Sequence, residues 1–216
     1  MLYIVATPIG NLRDITLRAI AILKEADLIL AEDTRRTKNL LDEYQIKIPM
    51  RAYHDHNKEQ ATPKILKDLA AGKSIALVSD SGTPGISDPG FYLVRECAEN
   101  NIPVSPVPGP NAAISALVCS GLPTDRFCFY GFLPKKKKKR KEIFSKIICT
   151  TIFYESPYRV ESTVQLMAEV MPEKKVVIAR ELTKKFEEFI RGTSKEVYEK
   201  IKGRKLKGEI VIISEG

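Results

Sequence analysis

Glu32, Asp33 and His54 are the residues of this chain best suited to accept a proton. Glu32 and Asp33 follow the apolar run Leu28–Ala31 and precede Thr34, Arg35 and Arg36, while His54-Asp55-His56 contains both histidines. A carboxylate or imidazole at the end of a strand can act as a general base. Asp33 can equally cap a following helix. A His-x-His pair can hold a metal from a strand, but no cysteine or third histidine accompanies this one, so no metal site is expected, and RNA contact or proton handling by His54 is the better reading. A Ser-His-Asp hydrolase is poorly supported, because no Gly-x-Ser-x-Gly sequence occurs.

Binding chemistry centres on Val78–Gly90, VSDSGTPGISDPG, which follows the apolar run Ile75–Val78. Its glycines permit close backbone approach, Pro84 and Pro89 constrain its path, and free N–H groups can face a polar ligand. It contains hydroxyls and Asp88 but no Lys or Arg. Triphosphate sites are built otherwise, so a weakly charged, nucleoside-type ligand is expected. Thr7–Asn11, Pro106–Asn111 and Glu155–Arg159 also follow predicted strands, and four such segments point to a shared crevice. The PIGN turn has one glycine, which argues against the dinucleotide fingerprint and so against NAD or FAD.

The formal charge of +8 is local. Lys135–Lys141, KKKKKRK, holds seven of the 35 basic residues, leaving 28 against 27 acidic ones elsewhere. This distribution suits a single docking point for a polyanion rather than a surface coated for non-specific nucleic-acid binding. A localisation signal or a solvated lysine loop has the same composition. The four cysteines are widely spaced, without a CxxC pair, and read as buried thiols of a reducing compartment. Neither a signal peptide nor a membrane span is expected.

These residues must be positioned by a strand–helix alternation. The pattern predicts strands at Leu2–Thr7, Leu28–Glu32, Ile46–Tyr53 (interrupted at Pro49), Ser74–Asp80 and Ile102–Val107, with helices between them, one from about Thr62 to Ala71, and Asp14 capping the first. Repeated crossovers imply a mostly parallel sheet. A small-residue helix over 111–120 leads to the strand FCFYGF, then to a basic helical segment at 136–147. Further strands are predicted at Cys149–Tyr154, Lys175–Arg180, Lys185–Arg191 and GEIVIISEG, with helices at Arg159–Glu169 and Ser194–Ile201. The expected fold is α/β in two domains, 1–118 and 119–216, although the side owning the small-residue helix is left open.

In order, VATPIGNLRDITLRA, AEDTR, YHDHN, VSDSGTPGISDPG, PGPNAAISALVCSGLPTDRFCFYGFLP, FYESPYR, ARELTKKFEEFIRGT and GEIVIISEG span nearly the whole chain. The ordered set resembles the bacterial small-subunit ribosomal RNA methyltransferases of the tetrapyrrole methylase superfamily, with AEDTR and YHDHN marking that branch. The resemblance implies a mostly parallel N-terminal sheet, a mixed C-terminal sheet and S-adenosyl-L-methionine in the cleft between them. It implies 2′-O-ribose methylation of a cytidine in the decoding region of 16S rRNA by a cytoplasmic homodimer, with no membrane association.

Carried over by motif, Ile9 and Gly10 form the first cofactor turn. Gly82, Thr83, Pro84 and Ile86 look like the second, with Thr83 where porphyrin methylases often place Asp. Asn111 and Ala112 look like the third, while Tyr154, Leu182 and Gly208 match positions that contact the cofactor in relatives. Arg35, Arg36, Lys135, Lys136, Lys137, Lys138, Lys139, Arg140 and Lys141 are the expected RNA contacts. Asp33, Glu32 and His54, in that order, are the candidate bases. Relatives are expected to carry a further basic C-terminal region, absent here. The alternatives are a porphyrinoid C-methyltransferase and a non-catalytic RNA-binding protein. The basic run with AEDTR and YHDHN disfavours the first, and the intact glycine loops disfavour the second.

Overall fold

The computed structural model describes residues 1–88 and 90–216; the expected constraint by Pro89 lies outside the described residues. The chain divides into two compact units, Met1–Asn111 and Ala112–Gly216.

The first unit contains β1 (Leu2–Val5), α1 (Leu17–Glu25), β2 (Leu28–Ala31), α2 (Thr34–Glu43), β3 (Met50–Ala52), α3 (Lys58–Ala70), β4 (Ile75–Val78), α4 (Gly90–Glu99) and β5 (Val104–Val107). Its sheet has the order β3-β2-β4-β1-β5, and every pairing is parallel. β2 and β4 are buried along their whole lengths, as expected of parallel strands covered on both faces. Their alternation divides the core: Ile29, Ala31, Ala76 and Val78 pack with Leu23 and Leu40, whereas Leu28, Leu30, Ile75 and Leu77 pack with Ile65 and Leu93.

Three local expectations are corrected. Thr16, not Asp14, caps α1, its hydroxyl accepting from Ala19 N–H at 3.1 Å. Asp14 instead ends a short 3-10 turn that Asn11 caps, so the helix begins one step later. The strand expected over 46–53 contracts to Met50–Ala52, and α3 starts one turn before Thr62, carrying Pro63 inside it.

The second unit contains α5 (Ala112–Val118), β6 (Phe127–Phe132), α6 (Lys137–Phe144), β7 (Thr150–Glu155), α7 (Val160–Val170), β8 (Lys175–Arg180), β9 (Glu188–Thr193), α8 (Ser194–Ile201) and β10 (Ile210–Ser214). Its order is β6-β7-β10-β8-β9, with β6 parallel to β7 and the other pairs antiparallel. The sheet is therefore mixed. Phe153, Val164, Met167, Ile178, Val197 and Ile212 belong to its main core. Here α5 packs on β7 and β10 through a face of buried Ala113, Ala116 and Leu117, which places the small-residue helix in this unit rather than ahead of a boundary at 118.

Candidate active site

The glycine loops of the first unit leave the carboxyl ends of β1, β4 and β5 and are stitched together. Thr7 and Gly82 exchange backbone hydrogen bonds of 2.9 and 3.0 Å, and Thr7 Oγ1 donates to Ser79 O at 3.1 Å. Thr83 Oγ1 donates to Pro110 O at 3.2 Å and accepts from Asn111 Nδ2 at 3.3 Å. Gly82 has φ +81°, and a Cβ there would lie 3.4 Å from Ile9 Cγ2. Ile9, Gly82, Thr83 and Asn111 are thus brought together, with Gly10, Pro84 and Ile86 on the same loops.

Asp88 shapes the far part of the second loop. Its Oδ1 accepts from Gly85 N–H at 2.6 Å and from Gly90 N–H at 2.9 Å. Burial nevertheless pushes the Asp88 carboxyl upward, opposed by those two N–H groups. A Cβ on Gly90 would come within 2.8 Å of Gly85 N, so only glycine closes this turn without displacement.

The candidate bases have unlike environments. Asp33 caps α2, accepting from Arg35 N–H at 2.9 Å and from Arg35 Nε and Nη2 at 3.1 and 2.8 Å. The Arg35 side chain and amide hold its carboxyl well below the usual range, which makes it a weak base. Glu32 is shifted the other way. Burial raises it first, followed by the negative charges of Asp80 and Asp88; the Asp80 N–H opposes them, and Asp55 adds a smaller push upward. His54 is half-buried, receives no hydrogen bond at Nδ1, and has its ring 6.0 Å from that of His56. Its backbone N–H donates to Asn57 Oδ1 at 2.9 Å.

Asp80 escaped the sequence reading although it lies within the central motif. Its carboxylate accepts from Asp33 N–H at 2.9 Å and approaches Arg36 at 3.3 Å. Only the adjacency of β2 and β4, invisible in a single sequence, brings AEDTR and VSDSG together.

In the second unit, the ends of β7 and β8 and the start of β10 share one edge of the sheet, since Ile210 stands opposite both Glu155 and Arg180. Burial raises the Tyr154 phenol, opposed by a hydrogen bond from Ala113 N–H just inside α5. Leu182 is buried. Gly208 has φ +89°, and any Cβ would collide with the Glu181 side chain, which accepts from Glu209 N–H at 2.9 Å. Ala112, Tyr154, Leu182 and Gly208 therefore belong to neighbouring segments of this unit. Glu181 also pairs with Lys184 at 2.9 Å, a structural commitment of its carboxylate.

The basic run does not behave as one exposed row. Lys135–Lys139 and Lys141 are exposed, but Arg140 is buried, donating from Nη1 to Thr163 Oγ1 at 2.8 Å. Its expected RNA contact is thus corrected to a packing role. Lys137 and Lys141 lie 3.4 and 3.0 Å from Glu169 on α7. Arg35 is exposed beside Asp33, and Arg36 retains an exposed side chain beside Asp80. A cavity of about 740 Å³ opens beside β6 and α6, lined in part by Tyr130, Phe132, Lys139 and Ile147. No candidate cofactor residue lines it.

Comparison with known proteins places this geometry. The family of Tetrapyrrole (Corrin/Porphyrin) Methylases matches residues 1–198. Ribosomal RNA small subunit methyltransferase I of Halalkalibacterium halodurans is 50% identical over 218 residues, covering 100% of this chain and 75% of that protein. The protein of the same name from Thermotoga maritima is 46% identical over 217 residues, covering 100% and 98%. Among solved structures, cobalt precorrin-4 methyltransferase aligns with TM-score 0.71 at 16% identity, over 99% of this chain and 94% of that one. Uroporphyrin-III C-methyltransferase from Thermus thermophilus, complexed with S-adenyl homocysteine, aligns with TM-score 0.65 at 20% identity, over 99% and 96%. The two structural likenesses establish the fold, and the family match with the near-half identity along the whole chain establishes descent: the chain belongs to the tetrapyrrole methylase family, in its ribosomal RNA small subunit methyltransferase I branch.

Proposed function

We propose that this chain is an S-adenosylmethionine-dependent methyltransferase acting on the 2′-hydroxyl of a cytidine ribose in 16S rRNA. The observation that carries the reading is the stitched set of cation-free glycine loops beside the partly buried Glu32 carboxylate. Carboxylates and amides without Lys or Arg suit a cofactor bearing a sulfonium rather than a triphosphate. S-adenosylmethionine supplies an electrophilic methyl group. Glu32 accepts the proton of the attacking ribose hydroxyl, and its raised affinity for that proton makes it a better acceptor than Asp33. His54 is the second candidate. The loop residues Ile9, Gly10, Gly82, Thr83, Pro84, Ile86 and Asn111 orient the cofactor, and Ala112, Tyr154, Leu182 and Gly208 are proposed as further contacts.

RNA phosphates are held by Lys135, Lys136, Lys138 and Lys139, and by Arg35 and Arg36 on the helix that follows the candidate base. The protein works in the cytoplasm as a homodimer. Exposed Phe127, Tyr130, Phe132 and Ile148 along and beside the edge strand β6 support self-association, which light scattering of wild type and Phe132→Glu would test. Among the described residues, no helix is long and apolar enough to cross a membrane.

The deciding experiment is mass spectrometry of small-subunit rRNA from a strain lacking the gene, complemented with wild type or Glu32→Gln. A restored ribose methyl with wild type alone supports the reading. Methyl transfer to a porphyrinoid but not to rRNA would replace it.

A further inference from the structure

We propose that Asp80 is a positioning residue for methyl transfer, holding the backbone that carries Glu32 by a clasp between two neighbouring strand ends. β2 and β4 run parallel with Ala31 opposite Val78, so the residues leaving them emerge side by side. Asp33 N–H donates to Asp80 Oδ1 at 2.9 Å, which fixes the backbone immediately after Glu32. The other Asp80 oxygen lies 3.3 Å from Arg36 Nη1. One side chain thereby ties Asp33, the immediate neighbour of Glu32, and Arg36 to the first turn of the central glycine loop. Asp80 also faces Glu32 as a like charge, joined by Asp88 and Asp55, while Arg35 is engaged by Asp33. The proposal rests on the reading of Glu32 as proton acceptor.

Two substitutions separate the parts of the clasp. Asp80→Asn retains an oxygen for the Asp33 N–H but removes a negative charge, so Glu32 should lose its proton at lower pH. Asp80→Ala removes the acceptor and frees Glu32 to move; a misplacement of ~1 Å can cost on the order of 100-fold in rate.

The experiment uses the full chain. The Glu32 carboxyl is titrated by carbon NMR without cofactor or RNA, with Glu32→Gln assigning the resonance. Single-turnover transfer to small ribosomal subunits is then followed across pH. Asp80→Asn should lower the Glu32 midpoint, move the acid limb of the rate with it, and keep the plateau rate within roughly threefold of wild type. Asp80→Ala should lose at least about tenfold at the plateau, with Asn rescuing most of that loss. If the Ala variant fails to fold, the Asn titration decides alone. An unmoved Glu32 midpoint in Asp80→Asn, or a folded Asp80→Ala with a wild-type plateau, overturns the proposal. A midpoint that moves while the rate limb stays fixed upholds the clasp and overturns the assignment of Glu32 as acceptor.

Discussion

Arg140 Nη1 donates to Thr163 Oγ1 at 2.8 Å, and that hydroxyl donates onward to Glu155 Oε2 at 2.7 Å. The Glu155 side chain is fully buried, with Arg159 Nε 3.4 Å from its other oxygen. Arg159 also donates to Leu133 O and Pro134 O at 3.0 Å, immediately before the lysines. A buried polar chain therefore anchors the base of the basic segment.

Stability and RNA affinity should consequently separate within seven adjacent residues. Arg140→Met should destabilise the protein by about 2 kcal/mol, because it removes a buried charge-assisted hydrogen bond. Replacing Lys136, Lys138 and Lys139 with Ser should leave the melting temperature nearly unchanged while weakening subunit binding and flattening its salt dependence. Urea denaturation and titrations at several ionic strengths check both halves. An unaltered salt slope would place the phosphate contact elsewhere.

Gly82 is the point at which the central loop's approach to the cofactor can be tested. Its φ of +81° strains any residue with a Cβ by about 1 kcal/mol, while the nearest neighbours of that Cβ, Ile9 Cγ2 and Pro110 O, would lie at ordinary contact distances of 3.4 and 3.6 Å. Gly82→Ala should therefore fold with a small loss of stability. Gly82→Val should also abolish most S-adenosylmethionine binding, read by calorimetry on the folded variant. Undiminished affinity would remove this loop from the cofactor site.

Asp33 and Glu32 should differ when each is made neutral. Asn caps a helix as well as Asp does, and Asp33 is held too far below the ordinary range to be a strong base. Single-turnover transfer should fall on the order of 100-fold in Glu32→Gln but only about threefold in Asp33→Asn. The wild-type rate should rise with pH through the Glu32 titration, because only the ionised carboxylate accepts a proton. Since that carboxyl is raised, its limb should lie above the position expected for an ordinary glutamate. Equal losses in the two variants would contradict this ranking.

The cysteines offer a test of the first unit's packing. Cys97 is fully buried and its thiol is pushed up to about 11 by burial, whereas Cys119 and Cys128, expected to be buried, are exposed. Alkylation at pH 8 followed by mass spectrometry should label the exposed pair and leave Cys97 unmodified until denaturant is added. Early labelling of Cys97 in native protein would show that α4 opens readily.

Much of the architecture was legible because its signals are local. LILA and IALV are short apolar runs that read as buried strands, and Gly72 stops α3 with φ +90°. Glycine-rich loops, the lysine run and the ordered motifs are likewise written along the chain. Tertiary structure decided what depends on distant partners. Thr16 and Asp14 were both chemically able to cap, and backbone geometry chose between them. Arg140 shares a helix face with buried Phe144 four residues on, so the phase of α6 against α7 turns one cation inward while its neighbours face water. The order β3-β2-β4-β1-β5 sets Glu32 beside Asp80, 48 positions later in sequence. Parallel pairing joins strands separated by whole helices, so the pattern of one strand specifies its burial but leaves its neighbour to the packing of the complete sheet.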